Sequence, residues 1–167
     1  MDVFRSVKDN KLKSLGFSVL LLISFLLIFL YSNKVAPVSW GLYGSVNTDS
    51  GIALQGNDPV AYHTTGMPTA GDSKFSFKTD NATWYFSSAS NRQMFIEAPE
   101  KYMPKYGGFC AFAVSQGVTA DAKPEHWTIQ DGKLYVFNGA DPKETWVSEI
   151  SKGSIAKSDS SWATHPQ

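Results

Sequence analysis

Cys110 is the single cysteine of the 167 residues, and two glycines precede it in the run from Tyr106 to Cys110. As a thiolate, a cysteine ligates soft metals or attacks electrophiles. As a thiol, it is often a small buried apolar side chain. Because the chain has no second cysteine for an internal disulfide, the chemistry of Cys110 depends on a different kind of neighbour or on burial.

His63 is the histidine that best suits a site with Cys110. Imidazole and thiolate are ligands of copper and zinc, and they act as base and nucleophile where the two side chains touch. No cysteine or histidine pair has metal-site spacing such as C-x-x-C or H-x-x-x-H. We expect His126 to be structural and His165, close to the C-terminus, to be solvated. A site at His63 and Cys110 therefore depends on the fold bringing them together.

The composition argues against several other functions. The chain carries 15 basic and 15 acidic residues, so its formal net charge is zero. It has no basic block with interleaved aromatic residues, which disfavours a nucleic-acid partner. It also lacks a G-x-S-x-G motif and a phosphate-binding glycine loop. We therefore expect no enzyme and assign no catalytic residue, although a thiol redox enzyme that uses Cys110 and His63 stays an alternative.

The N-terminus predicts export. Residues 1–14 form a basic segment that we expect to stay in the cytoplasm, and residues 15–31 form an uncharged apolar run long enough to cross a bilayer. This run is either a transmembrane anchor or a cleaved signal sequence. Lys34 and Pro37 flank Ala36, the best small residue for cleavage, and disfavour it. The predicted location is the inner (cytoplasmic) membrane, as a single-pass protein with a periplasmic domain, or the periplasm after cleavage.

Residues 32–50 are rich in Ser, Asn, Gly and Pro and are predicted to be a tether between membrane and domain. Within it, Trp40, Leu42 and Tyr43 either sit at the membrane interface or pack on the domain. The domain is predicted to cover residues 51–163, followed by a tail at 164–167.

Two hairpins and a few short helices are predicted in this domain. Segments 75–78 and 83–86 flank one turn, and segments 127–129 and 133–137 flank Asp131 and Gly132, a strong hairpin signal. Ser87 or Ser88 begins a helix to about residue 98, and Asp141 is the predicted N-cap of another to about residue 150. The fold class is therefore α+β: a small antiparallel sheet of two hairpins with two or three short helices, preceded by one N-terminal transmembrane helix.

Several of these segments resemble the YHS-domain family. The segments that carry the resemblance are 53–63 (ALQGNDPVAYH), 84–95 (WYFSSASNRQMF), 98–102 (APEKY), 104–111 (PKYGGFCA) and 131–135 (DGKLY). The resemblance covers residues 51–163 and is greatest to an exported bacterial branch of the family.

The resemblance implies a transition-metal function. YHS domains beside heavy-metal transporters are taken to bind metal through cysteines, and this chain has Ala61, Ser87 and Asn91 at those positions. The ligands implied here are instead His63 and Cys110, holding copper or zinc in an accessory or metal-handling protein. Further candidates for the pocket are Tyr62, Met67 and Tyr106. The alternative is a non-catalytic interaction module, or an accessory subunit of a membrane protein complex, in which Cys110 is structural.

Overall fold

The chain divides between Lys34 and Val35 into two compact units. A computed structural model describes the backbone of residues 2–166 and the side chains of residues 16–166. The first unit is helix α1 (Asp2–Ser32). Among the described residues, no helix combines the length and the apolarity needed to cross a membrane. The basic side chains of the predicted cytoplasmic segment 1–14 lie outside the described residues.

The second unit begins earlier than the sequence predicts. Strand β1 (Ala36–Pro37) pairs antiparallel with β6 (Val118–Thr119), and the Val38 N–H donates to the Gly117 carbonyl at 3.0 Å. Ala36, Val38 and Val46 are buried. Most of the predicted tether 32–50 is therefore part of the folded unit, because its small apolar residues bury and its backbone finds a strand partner.

The largest sheet has four strands: β2 (Thr48–Asp49), β3 (Ile52–Ala53), β4 (Asp72–Thr79) and β5 (Ala82–Phe86). Their order is β2-β3-β5-β4, and β3 pairs with β5 in parallel. The first predicted hairpin, β4 with β5, is confirmed. Asp80 and Asn81 between its strands have φ of 52° and 58°, the left-handed conformation that a tight hairpin turn requires.

The second predicted hairpin is also confirmed. It joins β7 (Lys123–Gln130) and β8 (Lys133–Phe137) through Asp131 and Gly132, which have φ of 50° and 71°. The two hairpins do not form one antiparallel sheet as predicted. They belong to separate sheets, because β3 pairs with the free edge of β5 and helices pack against β8.

Helices connect and cover these sheets in greater number than the predicted two or three. In the described part they are α2 (Ala61–Thr64), α3 (Ala89–Glu97), α4 (Pro99–Tyr102), α5 (Ala111–Ser115), α6 (Ala140–Ser148) and α7 (Ser154–Trp162). Ser88 is the N-cap of α3, and its Oγ accepts a hydrogen bond of 3.1 Å from the Asn91 N–H. The N-cap of α6 is Gly139 and not Asp141, which lies inside the first turn.

A single aromatic-rich core holds the second unit together, and the α+β class is confirmed. Trp84 and Phe95 pack at 5.3 Å between ring centroids beneath the β4–β5 hairpin, and Phe137 packs on Trp146 at 5.4 Å. The C-terminal residues pack as well. His165 is 6% exposed and stacks on Trp162 at 4.5 Å, so the prediction of a solvated His165 was wrong.

Candidate functional site

Cys110 lies at the start of α5, immediately before its first residue, Ala111. Its N–H donates to the Ala120 carbonyl, and its own carbonyl accepts from the Val114 N–H, each at 3.0 Å. It also forms a parallel bridge with Val136 of β8. Its backbone is therefore held by Ala120, by the first turn of α5 and by β8.

The Cys110 side chain is buried, with 1% of the residue exposed. Its Sγ lies 3.7 Å from the Asn138 Oδ1, a weak thiol hydrogen bond. Burial raises the pKa of the Cys110 thiol above its usual value, since a thiolate loses its hydration there. Reactive cysteines have the opposite properties, with partial exposure and a lowered pKa.

The two glycines before Cys110 have a structural reason. Gly107 and Gly108 have φ of 61° and 82°, and a Cβ on Gly107 would collide with the Ser45 carbonyl oxygen. The Asn47 N–H donates to the Gly107 carbonyl at 2.8 Å, and the Asn47 Nδ2 donates to the Gly108 carbonyl at 3.1 Å. Because the glycines have no side chain, segment 45–47 can pack directly on this turn. This close approach of two backbones needs no ligand to explain it.

His63 occupies the short helix α2 and is half-buried. Its ring lies perpendicular to the Tyr102 ring, with 5.3 Å between centroids. Its Nε2 is buried and has no hydrogen-bond partner among the described residues. Burial lowers the pKa of His63, and the positive charges of Lys101 and Lys133 lower it further. Both causes favour the neutral imidazole over its protonated form.

The hydrogen bonds of the predicted site residues go to other partners in the described part of the chain. No hydrogen bond in the described part of the chain joins His63 to Cys110. The Tyr62 hydroxyl donates to the Pro124 carbonyl at 3.1 Å, and the Tyr106 hydroxyl donates to the Asp159 Oδ1 at 3.0 Å.

Met67, the remaining candidate, is 56% exposed. Over residues 16–166, no group of three or more His, Cys, Asp or Glu side chains is arranged to hold a metal. Tyr62, His63, Tyr106 and Cys110 thus each contact a residue outside the predicted set, and Met67 is exposed.

Asp58 is a feature that the sequence did not reveal. This carboxylate is fully buried, and its Oδ1 accepts from the Val60 N–H at 2.9 Å. Its Oδ2 accepts from the Ser87 N–H at 2.8 Å, the Ser87 Oγ at 2.6 Å and the Asn91 Nδ2 at 2.6 Å. Four donors thus replace the water that the buried carboxylate has lost.

This cluster of Asp58, Ser87 and Asn91 occupies two of the positions at which the resemblance implies cysteines. Ala61, at the third such position, is buried one turn further along the chain. The hydrogen bonds tie the turn before α2 to the junction of β5 and α3, so they perform a cross-linking role between distant segments. The one sequence signal for this cluster was that Ser87 and Asn91, four positions apart, are both polar. Their shared acceptor, Asp58, precedes Ser87 by 29 residues, so nothing in the sequence indicated the pairing.

A comparison of the chain with protein-family models, curated proteins and solved structures found no match. The family resemblance therefore stays a prediction from the motifs.

Proposed function

We propose that the chain is a membrane-tethered, extracytoplasmic domain of the YHS type that serves as a non-catalytic interaction module or accessory subunit of a membrane complex. In this proposal Cys110 is a structural thiol. The observation that carries it is the environment of Cys110: 1% exposure, a raised thiol pKa and a hydrogen bond to Asn138.

The Asp58 cluster supports the same function. A domain that used metal at the cysteine positions of the family would need thiolates there. Ser87 and Asn91 instead donate to Asp58 over 2.6 Å each, which uses their polar groups for stability. In this proposal the polar residues at these positions stabilise the fold, and the thiols that metal binding would need there are replaced by Ser87 and Asn91.

The membrane tether is supported by the surface of α1. Large apolar side chains on this helix are more than 45% exposed, and they point in every direction around its axis. They are Phe17, Val19, Leu20, Leu21, Leu22, Ile23, Phe25, Leu26, Leu27, Ile28 and Phe29. A helix that is apolar on all faces needs a protein core or a bilayer around it. Because the second unit begins at Val35, directly after this helix, we infer that it is held at the membrane on the periplasmic side.

A metal-handling function is the second candidate, and one observation favours it. The His63 Nε2 has no hydrogen-bond partner among residues 16–166, and its lowered pKa favours the neutral imidazole, the form that ligates copper or zinc. Cys110 would have to leave its contact with Asn138 to become the second ligand. A thiol redox enzyme is favoured less, because an attacking thiol needs exposure and a lowered pKa.

Native electrophoresis of membranes solubilised in mild detergent tests the accessory role. The full chain is expected in a complex of defined size that persists in the Cys110→Ala and His63→Phe variants. If the full chain migrates as a monomer in each of two different mild detergents, that result would contradict the accessory role.

A further inference from the structure

Two apolar side chains on the second unit face solvent close to the start of that unit. Trp40 is 70% exposed and Leu42 is 62% exposed. The residue between them is Gly41, which ends a short 3₁₀ turn over Val38–Trp40 with a left-handed φ of 58°. The apolar area that this tryptophan and this leucine expose gains free energy when another surface covers it.

The loop that carries these side chains is fixed on both sides, so their exposure is a property of the fold. Val38 is buried, and Tyr43 packs against the hydrophobic core. A Cβ on Gly41 would lie 3.0 Å from Pro166, and the His165 Nε2 lies 3.0 Å from the Gly44 carbonyl oxygen. Trp40 and Leu42 therefore project from an anchored loop and cannot simply fold back into the core.

Covalent reach limits how far this loop can be from the end of α1. Ala36, the first residue paired in a strand, follows Ser32 by four residues, and Trp40 follows it by eight. A fully extended chain covers about 3.5 Å per residue, so Ala36 lies within about 14 Å of the helix end and Trp40 within about 28 Å. If α1 crosses the bilayer, this covalent limit keeps Trp40 within about 28 Å of the end of the span.

We propose that Trp40 and Leu42 form a second membrane contact, through which the folded unit rests on the lipid interface. Tryptophan suits this position because its ring partitions into the interface while its N–H stays hydrated. Leu42, two residues further along the same loop, adds apolar area that the acyl boundary covers. The contact fixes the orientation of the domain relative to the bilayer. This inference rests on the proposed tether and adds a defined docking face to it.

Quenching by brominated lipid tests the contact on the full chain. The chain is reconstituted into phosphatidylcholine vesicles with or without bromine on the acyl chains, and its tryptophan emission is compared. The chain has five tryptophans, of which Trp40 is the exposed one. We expect Trp40→Phe to remove more than half of the quenching, and the matched control Trp127→Phe to retain it.

The possible outcomes separate the contact from the tether. Equal quenching in the wild type and in Trp40→Phe, with the chain still in the membrane pellet after an alkaline wash, would overturn the contact and leave the tether standing. Release of the chain by the wash would overturn both. Emission that shifts to the blue with rising protein density, without quenching by bromine, would identify a second copy of the chain as the occupant and overturn the lipid contact.

Discussion

The Ser87 hydroxyl donates a hydrogen bond of 2.6 Å to the fully buried carboxylate of Asp58, across 29 residues of sequence. Together with Asn91 and two backbone N–H groups, it holds the turn before α2 against the start of α3. We expect this cluster to stabilise the fold more than any exposed polar pair. If the carboxylate were removed, the donors around it would be left without a charged acceptor.

Asp58→Asn is therefore expected to destabilise the domain by about 2–4 kcal/mol. The asparagine amide has one oxygen, so its NH₂ group would face at least one of the four donors and that donor would lose its acceptor. Urea unfolding of the full chain, monitored by tryptophan fluorescence, measures this. The matched control is Asp80→Asn at the exposed hairpin turn, where asparagine tolerates the φ of 52° and little change is expected. Equal stability of the two variants would contradict a structural role for Asp58.

Ser88→Ala is expected to cost about 1 kcal/mol, because the Ser88 Oγ accepts from the free N–H of Asn91 at the first turn of α3. The same unfolding experiment checks it. Ser90→Ala, at an exposed position within that helix, is the control and is expected to change stability by only a few tenths of a kcal/mol. A larger effect at Ser90 than at Ser88 would argue against the observed N-cap.

Alkaline pH is expected to destabilise the fold through Cys110. Burial raises the pKa of this thiol in the folded state, so the folded protein keeps a proton that the unfolded chain loses. The stabilisation is complete below the pKa of an unfolded cysteine, about 8.5, and is lost as the pH rises toward the folded pKa, by up to about 1.4 kcal/mol per pH unit.

The Cys110→Ala variant isolates this effect. Its unfolding free energy at pH 7 is expected to be lower by about 1 kcal/mol, from the lost contacts of the sulfur, while its slope between pH 8 and 10 is shallower than that of the wild type. Buried tyrosines contribute to the slope of both proteins and cancel in the difference. Identical slopes would show that the thiol titrates alike in both states.

Acid pH is expected to destabilise the fold through His63. The folded pKa of His63 is lowered by burial and by the charges of Lys101 and Lys133. In this pH range the unfolded chain therefore binds a proton at His63 more readily than the folded protein does. The free energy of unfolding decreases as the pH falls below about 6.5 toward the folded pKa. His63→Phe keeps a ring against Tyr102 and should flatten the stability profile between pH 5 and 6.5.

Lys101→Met tests the electrostatic part of that prediction. It should make the loss of stability below pH 6.5 smaller without abolishing it, because burial is the larger cause of the lowered pKa. NMR titration of the His63 ring protons in both the wild type and this variant provides the direct measurement. An unchanged His63 titration in Lys101→Met would exclude a contribution from this lysine.

Local signals in the sequence were sufficient for both hairpins and for the start of α3. Asp131 and Gly132 adopt the left-handed turn that such pairs favour, and Ser88 caps its helix in the expected way. At α6 the predicted N-cap was Asp141, whereas the observed N-cap is Gly139. Capping preferences locate helix ends only to within a turn when two suitable residues are close together.

Contacts between residues far apart in the chain could not be predicted from local sequence patterns. The burial of Asp58 depends on Ser87 and Asn91, and the anchoring of Ala36 depends on Thr119. Each of these partners lies far along the chain, and nothing in the local pattern distinguishes a buried aspartate in a turn from a solvated one. For the same reason, nearby motifs could suggest His63 and Cys110 as a pair without indicating what each side chain would contact.

Titration of the full chain with zinc and with copper(I) tests the structural assignment of Cys110 most directly. The wild type, Cys110→Ala and His63→Phe are compared for bound metal per chain and for affinity. We predict that Cys110→Ala binds metal as the wild type does, whether or not His63 contributes to weak binding. One metal per chain in the wild type that is lost in both variants would contradict a structural Cys110 and establish the metal site instead.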